Sequence, residues 1–101
     1  MNRLYLQAIF EEILGTRNVY FQPPASVQMQ YPAIVYSLSN IQSNFANNGS
    51  YMMTPSYEAI LIDKNPDNEY VEALLKLPYC RFDRHYKADN LNHYVFTIYN
   101  N

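Results

Sequence analysis

The side chains able to do chemistry are few, and most lie in the last quarter of the chain. Cys80, the single cysteine, with His85 or His93 would form a thiol–imidazole pair, the arrangement that activates a sulfur nucleophile. Strand alternation, however, sets Cys80 beside Phe82 on an apolar face and the two histidines on the opposite faces of their strands. The thiol therefore reads as a small buried hydrophobe. Asp83, His85 and His93 would supply two imidazoles and a carboxylate, an acceptable ligand set for a transition metal. Their spacing matches no metal motif, and two histidines on adjacent strands read as a polar outer face. Glu11 and Glu12 are neighbours and point to different helix sectors, a poor acid–base pair. With Gly15 and Gly49 the only glycines, no glycine-rich loop can cradle a phosphate. The expectation is a chain with no catalytic residues, no metal and no cofactor, and so no enzyme.

The segment "RFDRHYK" (81–87) holds three of the seven basic residues, interleaved with aromatics. Such a strip can bind nucleic acid, but Asp83 and Asp89 dilute it and the chain's net charge is −2. Arg81, Arg84, His85 and Lys87 are better read as a charged patch that docks a protein partner. Direct nucleic-acid binding is not expected. A lone cysteine excludes an intrachain disulfide and favours a reducing compartment. Gln7, Glu11 and Glu12 interrupt the apolar residues near the N-terminus, and no signal-peptide core or membrane span fits. Synthesis in a cytoplasm and no membrane partner are expected.

The 101 residues suit one domain over 1–101. Leu6, Ile9, Phe10, Ile13 and Leu14 follow the spacing of one helical face, so residues 2–14 are predicted helical, with Gly15 ending the helix in a left-handed conformation. Pro23 and Pro24 force an extended path after Val19–Phe21, itself a candidate for a short edge strand. Ile34, Tyr36 and Leu38 alternate as a strand does. "SNIQSNFANNGS" (39–50) reads as a long hairpin loop around the turn signal "NNG". "YMMTPSYEAILID" returns as a strand in which Pro55 requires an edge or bulge position. "DKNPDNEYVEALLKLP" reads as a second helix capped by Asn65 with Pro66 in its first position. Val71, Leu74 and Leu75 would form its buried stripe. Two strands, 79–87 and 91–99, joined by "KADN", complete an α+β domain. Its expected order is α-β-β-α-β-β, a mainly antiparallel sheet flanked by two helices.

Residues 18–38 contain three tyrosines, a phenylalanine and three prolines, and no charged side chain. Tyrosine suits surfaces that are wet in one state and buried in another. Two readings follow: an extended arm over about 18–31 that meets another molecule, or a segment that packs across the chain's own first helix.

The segments "NVYFQPP" (18–24), "YPAIVYSL" (31–38), "ILIDKNPDNE" (60–69) and "LPYCRFDRHYKADNLNHYVFTIY" (77–99) resemble small neck proteins of tailed bacteriophages and prophages of Gram-positive bacteria. The nearest resemblance is to the tail-terminator, or tail-completion, proteins. It implies a structural virion component whose α+β subunits form a ring, usually a hexamer. The ring caps the finished tail tube, stops its growth and docks on the head connector. The implied partners are other copies of itself, the major tail tube protein and the connector or head-closure protein. In that setting Tyr20, Phe21, Pro23, Pro24, Met29 and Tyr31 become candidates for the contact between subunits. Ile41, Phe45, Asn47 and Asn48 become candidates for contact with the tube or an adjacent ring. A head-closure or connector-stopper protein of the neck, or a small phage-encoded binding module, are the alternative readings.

Overall fold

Leu6, Phe10 and Leu14 recur every four residues, and burying that stripe is what makes residues Arg3–Leu14 a helix, α1. Gly15 ends it as expected. Its φ is +71°, and its N–H donates to the Glu11 carbonyl at 2.9 Å. A Cβ there would meet nothing within 4 Å, so glycine is required by backbone conformation and not by space. The computed structural model describes residues 3–45 and 51–99, with residues 40–45 and 51–54 described by backbone alone.

The remaining elements are β1 (Val19–Phe21), β2 (Ala33–Phe45), β3 (Tyr51–Asp63), α2 (Tyr70–Leu75), β4 (Cys80–Ala88) and β5 (Leu91–Tyr99). They form an α+β domain with one five-stranded sheet in the order β1-β2-β3-β5-β4. The sheet is mixed. β1 runs parallel to β2, with Tyr20 opposite Val35, and every other pair is antiparallel. The expected order therefore gains a strand, and residues 22–32 become the crossover that parallel pairing requires.

The helices cover one face. Ile34, Tyr36, Ala59, Leu61, Phe96 and Ile98 turn toward them and are buried. The expected faces of β3 and β5 hold, with Tyr57, Ala59 and Leu61 inward and His93, Val95 and Thr97 on the opposite side. At the centre is an aromatic cluster. Tyr36 lies 5.2 Å from Phe10, 4.9 Å from Phe21 and 6.2 Å from Tyr57, ring centre to ring centre. The Tyr36 hydroxyl is fully buried and donates to the Gln7 side-chain carbonyl. The Gln7 amide donates onward to the Val19 carbonyl at 3.1 Å and to Glu11 at 2.9 Å. One side chain of α1 thus holds both β1 and β2.

Three expectations fail for identifiable reasons. Residues 39–45 of the predicted long loop 39–50 are strand: Ile41 to Phe45 pair with Pro55 to Tyr51, beyond a bulge between Leu38 and Asn40, and 46–50 lie outside the described residues. Pairing partners outweigh the weak strand preference of Asn and Ser. The second helix begins at Tyr70 and not after Asn65. Asp63 accepts the Asn65 N–H, Asn65 accepts the Asp67 N–H, and Asn68 accepts those of Tyr70 and Val71. These side chains offer the backbone turns that compete with helix. Leu74 is buried, but Leu75 is 46% exposed and leaves the predicted stripe. Third, the face alternation of β4 breaks at a bulge between Phe82 and Arg84.

Phe21 belongs to the core side of β1, between Tyr36 and the Arg3 guanidinium, which sits 4.5 Å from its ring centre. Phe21→Ala is expected to lower folding stability by about 2 kcal/mol. Tyr20→Asp, on the opposite face, is expected to shift it by less than about 1 kcal/mol. Urea unfolding midpoints at constant slope measure both.

Candidate functional site

β4 lies at the sheet edge, and Arg81 to Lys87 are all exposed along it. Its strand form follows from β-branched and aromatic partners on β5 and from the two-residue turn Asp89-Asn90. Both turn residues hold positive φ, +53° and +61°, the turn geometry that matches strand twist.

The bulge decides what this edge can do. Cys80, Phe82 and His85 pair with Ile98, Phe96 and Tyr94, and so share the helix side. Arg81, Arg84 and Tyr86 pair with Thr97, Val95 and His93, on the bare face. The predicted docking patch is therefore split, with Arg81 and Arg84 on one face and His85 and Lys87 on the other. Asp83, in the bulge, accepts from the Arg81 guanidinium at 3.0 Å and from the Thr97 hydroxyl. Burial alone would raise its carboxyl, but the Thr97 and Arg81 hydrogen bonds outweigh that and hold it below its ordinary value. Arg84 stands over the Tyr86 ring and Arg81 over that of Tyr99, each at 5.8 Å.

The metal and nucleophile groupings weighed and set aside from the sequence do not assemble among the described residues. His85 donates from Nε2 to Asn92 Oδ1 at 3.1 Å, because the Asn92 amide nitrogen is already committed to the Asp63 and Lys64 carbonyls. His93 sits on the other face, stacked on Tyr86 at 4.7 Å, with Nδ1 donating to the Leu91 carbonyl. Among the described residues no three potential metal ligands gather. The Cys80 thiol, half-buried, is pushed up to about 11, first by burial and then by Asp83. A nucleophilic cysteine needs the opposite shift.

The predicted arm is a closed crossover. Pro24 opens a turn whose Val27 N–H returns to the Pro24 carbonyl at 3.1 Å. The Gln30 N–H reaches the Tyr20 hydroxyl at 3.5 Å. Pro23 and Met29 are half-buried, Pro24 is exposed, and Tyr31, before a cis peptide to Pro32, is 37% exposed. Ile41 and Phe45 lie in the paired part of β2, and Asn47 and Asn48 lie outside the described residues.

Two features escaped the sequence reading. One is an acidic hollow of about 380 Å³ lined by Asp63, Asp67 and Glu69 with Pro32 and Tyr70. The other is a pair of unpaired edges. β1 covers β2 only from Ile34 to Tyr36, so beyond Tyr36 no described strand flanks β2 on that side. β3 meets β5 only from Ser56 onward. Among the described residues the ribbon 41–45/51–55 consequently stands as two strands alone, roughly 17 Å long at about 3.3 Å per residue. A signal was present: no charged residue lies between Arg17 and Glu58.

Comparison with known protein families, curated proteins and solved structures finds no match.

The raised Cys80 thiol fixes a sign for pH dependence. Its folded value exceeds the unfolded one, so the stability it confers is complete below about pH 9 and is lost as pH rises toward about 11. Burial raises Tyr36 and Tyr94 in the same direction. Cys80→Ala is expected to flatten the alkaline decline across that window while leaving the rest. Urea midpoints at stepped pH measure the difference; an unchanged profile would contradict it.

Proposed function

We propose that this chain is a structural subunit of the neck of a tailed phage, a tail terminator that forms a ring on the head-proximal end of the tail tube. The observation that carries the reading is the two-stranded ribbon, taken with the uncharged span that contains it. An isolated pair of strands is marginal in water and wants a third strand or a covering surface. A monomer that lives alone blunts both edges of such a ribbon with charges, prolines or bulges. Here Pro55 blunts the β3 edge, whereas residues 41–45 on the β2 edge carry neither charge nor proline, which fits a chain whose working state is an assembly.

The resemblance of residues 18–24, 31–38, 60–69 and 77–99 to tail-terminator proteins supplies the particular assembly. In a ring each subunit meets two neighbours through different surfaces, a heterologous contact that closes on itself. The sheet offers two different edges on opposite sides. The exposed aromatics Tyr79, Phe82 and Tyr99 give one of them the tyrosine-rich character common at the centre of such contacts. Among the crossover residues, Tyr20, Pro24 and Tyr31 remain candidates for the subunit contact, whereas Phe21 serves the subunit's own core. The partners are further copies, six in the completed ring, with the tail tube on one side and the head connector on the other. The ring acts by covering the last tube subunits, so that no further subunit can add. Its work is mechanical and needs no reaction.

A terminator must stay dissociated until a tube end templates it, or rings would close unproductively. Light scattering of the purified protein is expected to give a monomer or weak oligomer alone and a ring in the presence of tail tubes, with tube growth arrested. A tight dimer that leaves tubes uncapped would overturn the proposal.

A further inference from the structure

The ribbon has two edges, and they are not equivalent. On the β3 side stands Pro55, opposite Ile41. A proline within a pair of strands must turn its nitrogen away from the partner, so Pro55 presents a missing donor to the outside. That edge is spoiled for pairing. On the β2 side the run from Ser39 to Phe45 contains no proline and no charge. Its near end is closed by Gln22, whose Oε1 accepts the Leu38 N–H at 3.1 Å. Beyond that point no described strand flanks β2 on this side.

β4 is the other long edge, and its character is different. It carries Arg81, Arg84 and Lys87 against Asp83 alone, and like charges opposite one another disfavour pairing β4 with a second β4. An uncharged strand meets no such penalty. The directions also agree: β2 and β5 run one way, β3 and β4 the other. A neighbour whose sheet continues in the same sense would lay its β2 antiparallel to β4.

We infer that residues 39–45 of one copy add as a strand to the β4 edge of the next, so that the sheet runs from subunit to subunit. The inference rests on the ring reading and names its contact. The registers add a geometric condition. Leu38 lies across from Tyr57, Tyr57 from Ile98, and Ile98 from Cys80. The open part of β2 therefore starts level with the beginning of β4 and extends past it. Bringing the two together requires a stagger along the strand direction, which is what a closed sheet of tilted strands demands. An unstaggered flat ring would leave the ribbon unpaired.

The test uses full-length variants in a Cys80→Ser background. One population carries Arg84→Cys and the other Gln42→Cys or, because side chains alternate faces along a strand, Ser43→Cys. Mixed under mild oxidation, they are expected to give the disulfide between unlike variants as the main product, with little between like variants. In parallel, Gln42→Glu should tighten self-association by about twofold to fivefold and Gln42→Lys weaken it by a similar factor, the range of a cross-strand charge pair. Association of the wild-type chain without any mixed disulfide, or equal shifts from the two Gln42 variants, would overturn the strand contact and leave the ring reading standing. A chain that stays monomeric at every concentration and on tubes would overturn both.

Discussion

The buried hydroxyl of Tyr36 must have a partner, and Gln7 is the one it has. A buried hydroxyl left unpaired costs about 1–3 kcal/mol, so wherever Tyr36 goes α1 must follow. Gln7 uses its amide nitrogen on the Val19 carbonyl, which recruits β1 to the parallel position beside β2. Phe10 and Phe21 close around the same ring. Once α1 is committed to the β1–β2 half of the sheet, α2 packs near the start of β4, through Leu74 and the half-buried Val71 and Leu77. Both helices then lie on one face. The other face, with Val35, Ile60, Val95 and the Tyr86–His93 stack, is left without a covering element among the described residues.

That asymmetry governs what the molecule has to offer. A two-layer domain of this size commonly leaves one antiparallel face solvated, and the polar outward positions Ser37, Glu58 and Thr97 fit that role. Less ordinary is the distribution of charge. The ribbon and the crossover fall within an uncharged stretch, whereas β4 is studded with cations and broken by a bulge. The two edges of the sheet thus differ in character, one uncharged and one cationic. Tyr79 adds to the picture. It holds φ of +60° while 59% exposed, a conformation that a bulky residue adopts at a penalty. It sits at the start of the β4 edge, where the Tyr99 N–H donates to its carbonyl.

How much was readable beforehand depended on whether the determining contacts were local. The spacing of Leu6, Phe10 and Leu14, the left-handed Gly15, the Asp89-Asn90 turn and the alternation from Leu91 to Tyr99 are local, and each was legible. The parallel placement of β1 depends on Gln7 finding Val19 and Tyr36, a meeting no periodicity encodes. Residues 39–45 look like loop because Asn and Ser favour turns, and only their partners at 51–55 make them strand. The second helix shortened because Asp63, Asn65 and Asn68 are as good at capping turns as at capping helices. For the candidate site, the charged residues of β4 were visible, but a one-residue bulge divided them between two faces. The edge status of β2 was invisible because sequence shows a strand without showing its neighbours.

The role proposed for this chain is that of a building block that joins copies of itself at the junction of head and tail. An electron cryomicroscopy map of that junction in purified particles tests it most directly. It should contain a ring of these subunits on the last turn of the tail tube, each sheet leading into the next. Particles that lack the chain, or a map in which the ring at that level is built from a different fold, would contradict it.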